Sequence, residues 1–353
     1  MRLGLDLDVT GRSVVVCGCS PASLGVLGDL SAAGAMITVC ATSVPATIRD
    51  LAERSLITWR QRPWSPDDLA ATALVVPADD DPAENTRIVE AARAAGRLSL
   101  SAPPSPGPRP AAGAGQVTLV GGGPGDPGLL TVAGLEAIKR ADVIVCDRLA
   151  PLAALSQAPD RALVVDVAKI PRGEHTPQEK INDLLVEHAR AGRRVVRLKG
   201  GDSFVFGRGG EELLACAAAG IPVTVIPGVS SATAAPALAG IPLTHRSLTQ
   251  GVTIVSAHLP PGYAGSTLDW AAIARSNTTL VIMMGVATLP EVSAELIAQG
   301  MDPTTPAATI ADAGLPSQRT VRATLATIAA ATLEGGLRPP AVTVIGAVAG
   351  FDA

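Results

Sequence analysis

Aromatic side chains are nearly absent from this chain: three Trp, one Tyr and three Phe make up 2 % of its 353 residues. Its cores must be built from Ala, Val, Leu and Ile, which suits parallel strands covered by helices on both faces. Excess positive charge is also missing. A formal net charge of −4 leaves no surplus of Lys and Arg to neutralise a phosphate backbone and argues against a nucleic-acid partner. Histidines number four, with no close ligand spacing, so no metal site is expected. The five cysteines, Cys17, Cys19, Cys40, Cys146 and Cys216, are an odd count set mostly in apolar runs. They read as reduced core thiols of a cytosolic protein. No run reaches the roughly 18–20 uncharged apolar residues of a membrane span. The start, MRLGLDLDVTG, lacks the apolar core of a signal peptide.

What is present is an alternation of short apolar runs and amphipathic stretches. The length suggests two or three domains. In the first unit, residues 1–100, strands are expected at Ser13–Gly18, Met36–Cys40, Leu56–Arg60 and Leu74–Pro77. Helices are expected at about Pro21–Ala33 and at Pro82–Ala95, the latter with Pro in its first turn. This is a doubly wound, Rossmann-like pattern. The stretch SAPPSPGPRPAAGAG at 101–115 is rich in Pro, Gly and Ala and reads as a linker. Two further α/β lobes follow, 116–245 and 246–353, with a cleft expected between them. In the first of these lobes, strands are expected at Val117–Val120, Val143–Cys146, Ala162–Val167, Arg194–Leu198 and Val223–Ile226. Helices there are expected at about Leu129–Lys139 and Gln178–Ala191. The second lobe carries strand candidates at Val252–Ser256, Thr279–Met283, Ala307–Ile310 and Val342–Ile345.

Two glycine-rich loops follow apolar strands. The first, Gly121-Gly122-Gly123-Pro124-Gly125-Asp126-Pro127, offers bare backbone to a ligand. It has Asp where a dinucleotide fingerprint needs Gly, and it lacks the Gly-Lys-Ser/Thr ending of a phosphate loop. Glycine without a cation suits a ligand without phosphate. The composition is equally that of a tight strand-to-helix turn. The second loop runs from Lys199 to Glu212 and carries Phe204, Phe206, Asp202 and Arg208. It reads either as a packed loop with Asp202 as a cap or as a binding edge.

The runs GGGPGDPGLLT, VIVCDRL, VVRLKGGDSFVFGRGGEE, IPGVSSATAAPALAGIPLTHR and SAHLP, in this order, resemble the tetrapyrrole methylases. Within that family they resemble the uroporphyrinogen-III C-methyltransferases, over roughly 116–350. The resemblance implies S-adenosylmethionine as cofactor, uroporphyrinogen III as substrate, precorrin-2 as product and a homodimer. It assigns Pro124, Gly200, Gly201, Asp202, Val205, Ser230, Ser231, Met284, Ala313 and Ala341 to the cofactor. It gives Asp147 as proton acceptor and Lys169 as proton donor. Read alone, Asp147 is as well a turn cap and Lys169 a solvated charge. A substrate rich in carboxylates needs cations, and Arg148, Arg208, His245 and Arg246 lie on or beside the motif loops. One departure concerns the histidine after Lys169: His175 is displaced by one position from the family's pattern.

Residues 1–100 resemble the dehydrogenase domain of sirohaem synthases, with an eroded cofactor loop. Cys17-Gly18-Cys19-Ser20-Pro21 keeps one glycine, and its side chains would crowd a pyrophosphate. Leu100 and Pro103 stand where that domain has an Asn and a catalytic Asp. The expectation is a Rossmann-like domain without dehydrogenase or chelatase activity. The alternatives are a later precorrin methyltransferase, a bifunctional enzyme that still oxidises precorrin-2 with NAD⁺, and a non-catalytic tetrapyrrole binder.

Overall fold

The computed structural model describes residues 7–100, 115–168 and 176–351. All of the expected linker but Gly115, together with Lys169 and His175, lies outside them. The chain divides into two compact units, Met1–Gly228 and Val229–Ala353.

The first unit holds two sheets. The first sheet comes from β1 (Ser13–Cys17), α1 (Leu24–Ala32), β2 (Met36–Cys40), α2 (Ala46–Glu53), β3 (Thr58–Arg60), α3 (Pro66–Leu69), β4 (Leu74–Pro77), α4 (Pro82–Ala94) and β5 (Leu98–Ser99). Its strands are parallel in the order β3-β2-β1-β4-β5, the doubly wound arrangement. Val14, Val15 and Val16 are buried, as a strand covered on both faces requires.

The second sheet comes from β6 (Gln116–Gly121), α5 (Val132–Lys139), β7 (Val143–Cys146), β8 (Leu163–Asp166), α6 (Gln178–Arg190), β9 (Arg194–Lys199), α7 (Gly209–Ala218) and β10 (Val223–Ile226). It too is parallel, in the order β10-β6-β9-β7-β8. The helix expected from Leu129 begins later. Asp126 caps a separate 3-10 turn, Pro127–Leu129, and the Thr131 hydroxyl caps α5 by accepting the Gly134 N–H at 3.1 Å. One core joins the two sheets: Leu24, Leu27 and Ile48 of the first pack with Ile138, Ile144 and Leu198 of the second.

The second unit comprises α8 (Ser231–Leu238), β11 (Val252–Ser256), α9 (Trp270–Ala274), β12 (Thr279–Met283), α10 (Leu289–Ala298), β13 (Pro306–Ala311), β14 (Arg319–Thr324), α11 (Ile328–Glu334) and β15 (Ala341–Ile345). Its sheet is mixed, β11-β12-β15-β13-β14, with only β11 and β12 parallel. β14 is not foreshadowed by hydrophobic pattern. Its sequence RTVRAT carries few apolar residues because it is an edge strand with its first residues exposed.

Candidate functional site

The five parallel strands of the second sheet bring their carboxyl ends to one edge. β6 connects past β9 to β7, and β9 connects past β6 to β10. α5 packs on one face with Val120 and Val196, and α7 on the other with Leu119 and Val195. The loops after neighbouring strands β6 and β9 therefore leave on opposite faces, which opens a crevice at their start.

Bare backbone lines that point. Gly123 and Gly201 exchange two backbone hydrogen bonds, 3.1 and 2.7 Å long. Both adopt positive φ, +80° and +67°, which glycine alone reaches without steric cost. A Cβ on Gly121 would lie 2.5 Å from the Gly228 nitrogen, and one on Gly228 would overlap the Gly201 carbonyl. The strand ends of β6, β9 and β10 thus meet through glycine. Asp202 braces them: its carboxylate accepts the Gly228 N–H at 2.9 Å and the Phe204 N–H at 2.8 Å. Residues 121–125 and 200–201 offer no free cation, since Lys199 is buried against Glu212. This environment fits a ligand recognised by backbone and lacking phosphate.

Asp147 follows β7 on the same edge. Its carboxylate accepts the Leu149 N–H at 3.1 Å and an Arg197 N–H at 3.4 Å. The side chain keeps 27 % exposure, so it faces solvent while tied from below.

Residues 116–329 match the family model for tetrapyrrole (corrin/porphyrin) methylases. The chain belongs to the tetrapyrrole methylase family. Residues 5–103 match a separate model of NAD(P)-binding domains. The chain is 47 % identical over 234 residues to a sirohaem synthase of Xylella fastidiosa, and 48 % identical over 237 residues to one of Neisseria meningitidis. These matches cover 66 % and 67 % of this chain but 49 % and 48 % of those proteins, so it spans about half their length. A crystal structure of uroporphyrin-III C-methyl transferase from Thermus thermophilus, complexed with S-adenosyl homocysteine, is 42 % identical. The similarity covers 66 % of this chain and 98 % of that one, with a TM-score of 0.56. A cobalt precorrin-4 methyltransferase structure is 27 % identical with a TM-score of 0.59.

Beneath the methylase glycine loops lies a charge cluster that the sequence reading did not single out. Arg197 and Lys199 stand two apart on β9 and point to one face. Glu212 of α7 accepts from both, at 3.0 and 2.9 Å, and Gln178 of α6 donates to it at 3.3 Å. All four are buried. Burial depresses the Lys199 pKa, with the nearby Arg197 charge adding to it and Glu212 opposing. Burial alone would raise the Glu212 carboxyl, but Arg197 and Lys199 outweigh it and hold the group below its usual range. The signal for it in the sequence is Arg197 and Lys199 at alternate positions of RVVRLK, among the buried Val195, Val196 and Leu198.

The four expected substrate cations divide. Arg148 is paired with Asp50 of the first sheet at 3.0 Å and is only 13 % exposed. Arg208, at φ +58°, is paired bidentately with Glu211 at 2.7 and 2.6 Å. In the second unit, the His245 ring lies 5.7 Å from that of Phe351 and its Nδ1 is 3.0 Å from the Ser247 hydroxyl. Arg246 is exposed.

The second unit gathers Met284, Ala313 and Ala341 at one edge of its sheet, because β12 and β13 end where the antiparallel β15 begins. Met284 is 51 % exposed and sits at φ +54°, a conformation rare outside glycine. Ser230 caps α8 by accepting the Ala232 N–H at 3.3 Å, and Ser231 is its first residue. In the first unit, Pro124 follows Gly123 on the crevice loop, and Val205 is 37 % exposed on the loop after β9.

The first sheet has a different edge. Gly18, at φ +81°, is the one glycine after β1, and a Cβ there would lie 2.7 Å from the Asp79 nitrogen. The Ser20 N–H donates to the Ala78 carbonyl at 3.1 Å. Ser20 and Ser23 are buried, and burial pushes the Cys19 thiol up to about 12. All five cysteines are free. Among the described residues, no cluster of three or more His, Cys, Asp or Glu could hold a metal, and no helix is long and apolar enough to cross a membrane.

Proposed function

We propose that the chain is an S-adenosylmethionine-dependent C-methyltransferase that methylates uroporphyrinogen III twice to give precorrin-2. The observation that carries this reading is the meeting of Gly121, Gly201 and Gly228 without a phosphate-binding cation. The 42 % identity across 98 % of the Thermus enzyme supports it. S-adenosylmethionine, when bound, supplies an already activated methyl group. The chain's task is then alignment and proton handling. Pro124, Gly200, Gly201, Asp202 and Val205, with Ser230, Ser231, Met284, Ala313 and Ala341, would hold the cofactor. Asp147, half-buried and anchored by Arg197, is suited to take the proton that the methylated pyrrole ring sheds. Lys169 is the proposed donor. His245 and Arg246 would meet substrate carboxylates directly, whereas Arg148 and Arg208 would have to leave existing partners.

The first domain is proposed to lack NAD-dependent activity, since Gly18 packs on Asp79 and the Ser20 amide is already bonded to the Ala78 carbonyl. The domain limits 1–100, 101–115, 116–245 and 246–353 form part of this proposal. So do a homodimeric state and a cytoplasmic location, for which the five free thiols speak.

The test is anaerobic incubation with uroporphyrinogen III and methyl-labelled S-adenosylmethionine, with and without NAD⁺. Two labels per tetrapyrrole and no NAD⁺-dependent oxidation are expected. Cofactor binding without transfer would move the substrate to a later precorrin. The fold alone does not separate that reading, given TM-scores of 0.56 and 0.59 for the two methyltransferase structures. NAD⁺-dependent oxidation would restore the bifunctional alternative.

A further inference from the structure

Helix α2 of the first sheet carries its polar residues where a helix on a core normally carries apolar ones. Thr47 and Asp50, three apart on one face, are buried beside Ile48. Both find their partners in the methylase lobe. α2 begins after Pro45, which offers no side-chain cap. The cap comes instead from Asp166 at the end of β8, whose carboxylate accepts the Thr47 N–H at 3.1 Å and the Thr47 hydroxyl at 2.9 Å. One turn on, Asp50 receives Arg148 at 3.0 Å and its own helix's Arg54 at 3.3 Å. Arg148 is the neighbour of Asp147 in the tight turn closed by the Ala150 N–H on the Asp147 carbonyl, 3.1 Å. Alongside, α1 lies directly on the turn Leu152–Gln157, where a Cβ on Gly28 would overlap the Ala153 backbone.

An apolar pair would dock two surfaces as firmly as a buried ion pair does, so the charges contribute registry rather than strength. The registry they set is that of the turn bearing Asp147. We infer that the first domain serves as a positioning element of the methylase site: Asp50 fixes Arg148 and through it the Asp147 turn, while Asp166 fixes the helix that carries Asp50. This inference rests on the methyltransferase reading for its catalytic consequence, but its geometric content stands apart from it.

The experiment is a double-mutant cycle on the full chain, D50N, R148Q and both, read by hydrogen exchange and by labelled methyl transfer. In D50N, exchange of amides 147–150 should rise about tenfold while β12 and β15 stay as in the parent. Methyl-transfer kcat should fall about tenfold with KM for S-adenosylmethionine unchanged, and the double variant should be no worse than R148Q. A second variant, G28V, should loosen both 152–157 and 147–150. Unchanged exchange at 147–150 in D50N or G28V overturns the inference. So does a higher kcat in D50N, which would mean that Asp50 withholds Arg148 from the substrate, or losses that multiply in the double variant. A parent chain that transfers no methyl group while D50N still loosens 147–150 overturns the methyltransferase reading and leaves the bracing intact.

Discussion

The first unit contains two five-stranded parallel sheets that treat the ends of their strands in opposite ways. After β1 the chain keeps one glycine, Gly18, and uses it to approach Asp79 on the neighbouring strand's exit, so the edge closes on itself. After β6 it keeps Gly121, Gly122 and Gly123: Gly121 meets Gly228, Gly123 meets Gly201, and Gly122 packs against Pro151 and the Lys199 carbonyl. Both sheets have buried parallel strands and helices on either face, and both belong to folds that bind ligands at this edge. What separates them is how many side-chain-free segments meet there: glycines from three strand ends at the second sheet, a single glycine at the first. A doubly wound sheet offers a place for a ligand. The residues at the switch point decide whether that place stays open.

The charged groups sharpen the contrast, and the largest effect is expected there. Replacing Glu212 by Ala leaves Lys199 buried without a carboxylate and Arg197 with only its 3.4 Å contact to Asp147, which should cost about 3–5 kcal/mol of stability in urea unfolding. The matching change in the first sheet, Asp68→Ala, should cost less, about 1–3 kcal/mol. Its partners Arg60 and Arg62 are 47 % and 46 % exposed and can turn to water. Equal losses would show that the two clusters are not differently buried in solution.

Next come the glycines. Gly121→Ala should abolish S-adenosylmethionine binding in calorimetry and destabilise the chain by about 1–3 kcal/mol, because its Cβ has no space beside Gly228. Gly18→Ala should destabilise by a similar amount while leaving cofactor affinity within about twofold, since its Cβ meets only the first sheet. If Gly18→Ala weakened cofactor binding as much as Gly121→Ala, the functional difference between the two edges would be lost.

A smaller effect separates the sheets by pH. Hydrogen bonding from Arg62 first, then from Ser65 and Arg60, holds the Asp68 carboxyl well below its usual range, against the upward push of burial. A depressed carboxyl stabilises above its unfolded pKa and loses that contribution as pH falls below it. The difference in urea midpoint between the parent and Asp68→Asn should be constant from about pH 7 to pH 5 and shrink below about pH 4. A gap that persisted to about pH 2 would mean that Asp68 acts by packing. Least affected should be Arg208→Ala. Its pair with Glu211 is exposed, so stability should change by less than about 1 kcal/mol, and any loss of methyl transfer would then report contact with substrate.

The sequence alone determined the class of the two parallel sheets and the position of the glycine loops. Apolar runs such as SVVVC and VIVC, bounded by Gly, Pro and Asp, are readable because buried parallel strands admit little else. The glycine loops are readable because close backbone approach leaves no other residue type. Boundaries set by caps were less legible: Thr131 moved the start of α5, and the edge strand β14 carried too few apolar residues to announce itself. Tertiary structure alone decided which charges are available. Arg148 and Arg208 look like ligands for an acidic substrate in sequence, yet each already holds a carboxylate, one of them 98 residues away. Glu212 closes the second glycine-rich loop in sequence and is the buried centre of a network. Backbone preference is local, so it can be read from neighbouring residues. Charge compensation is set by distance in space, and a linear sequence does not carry that distance.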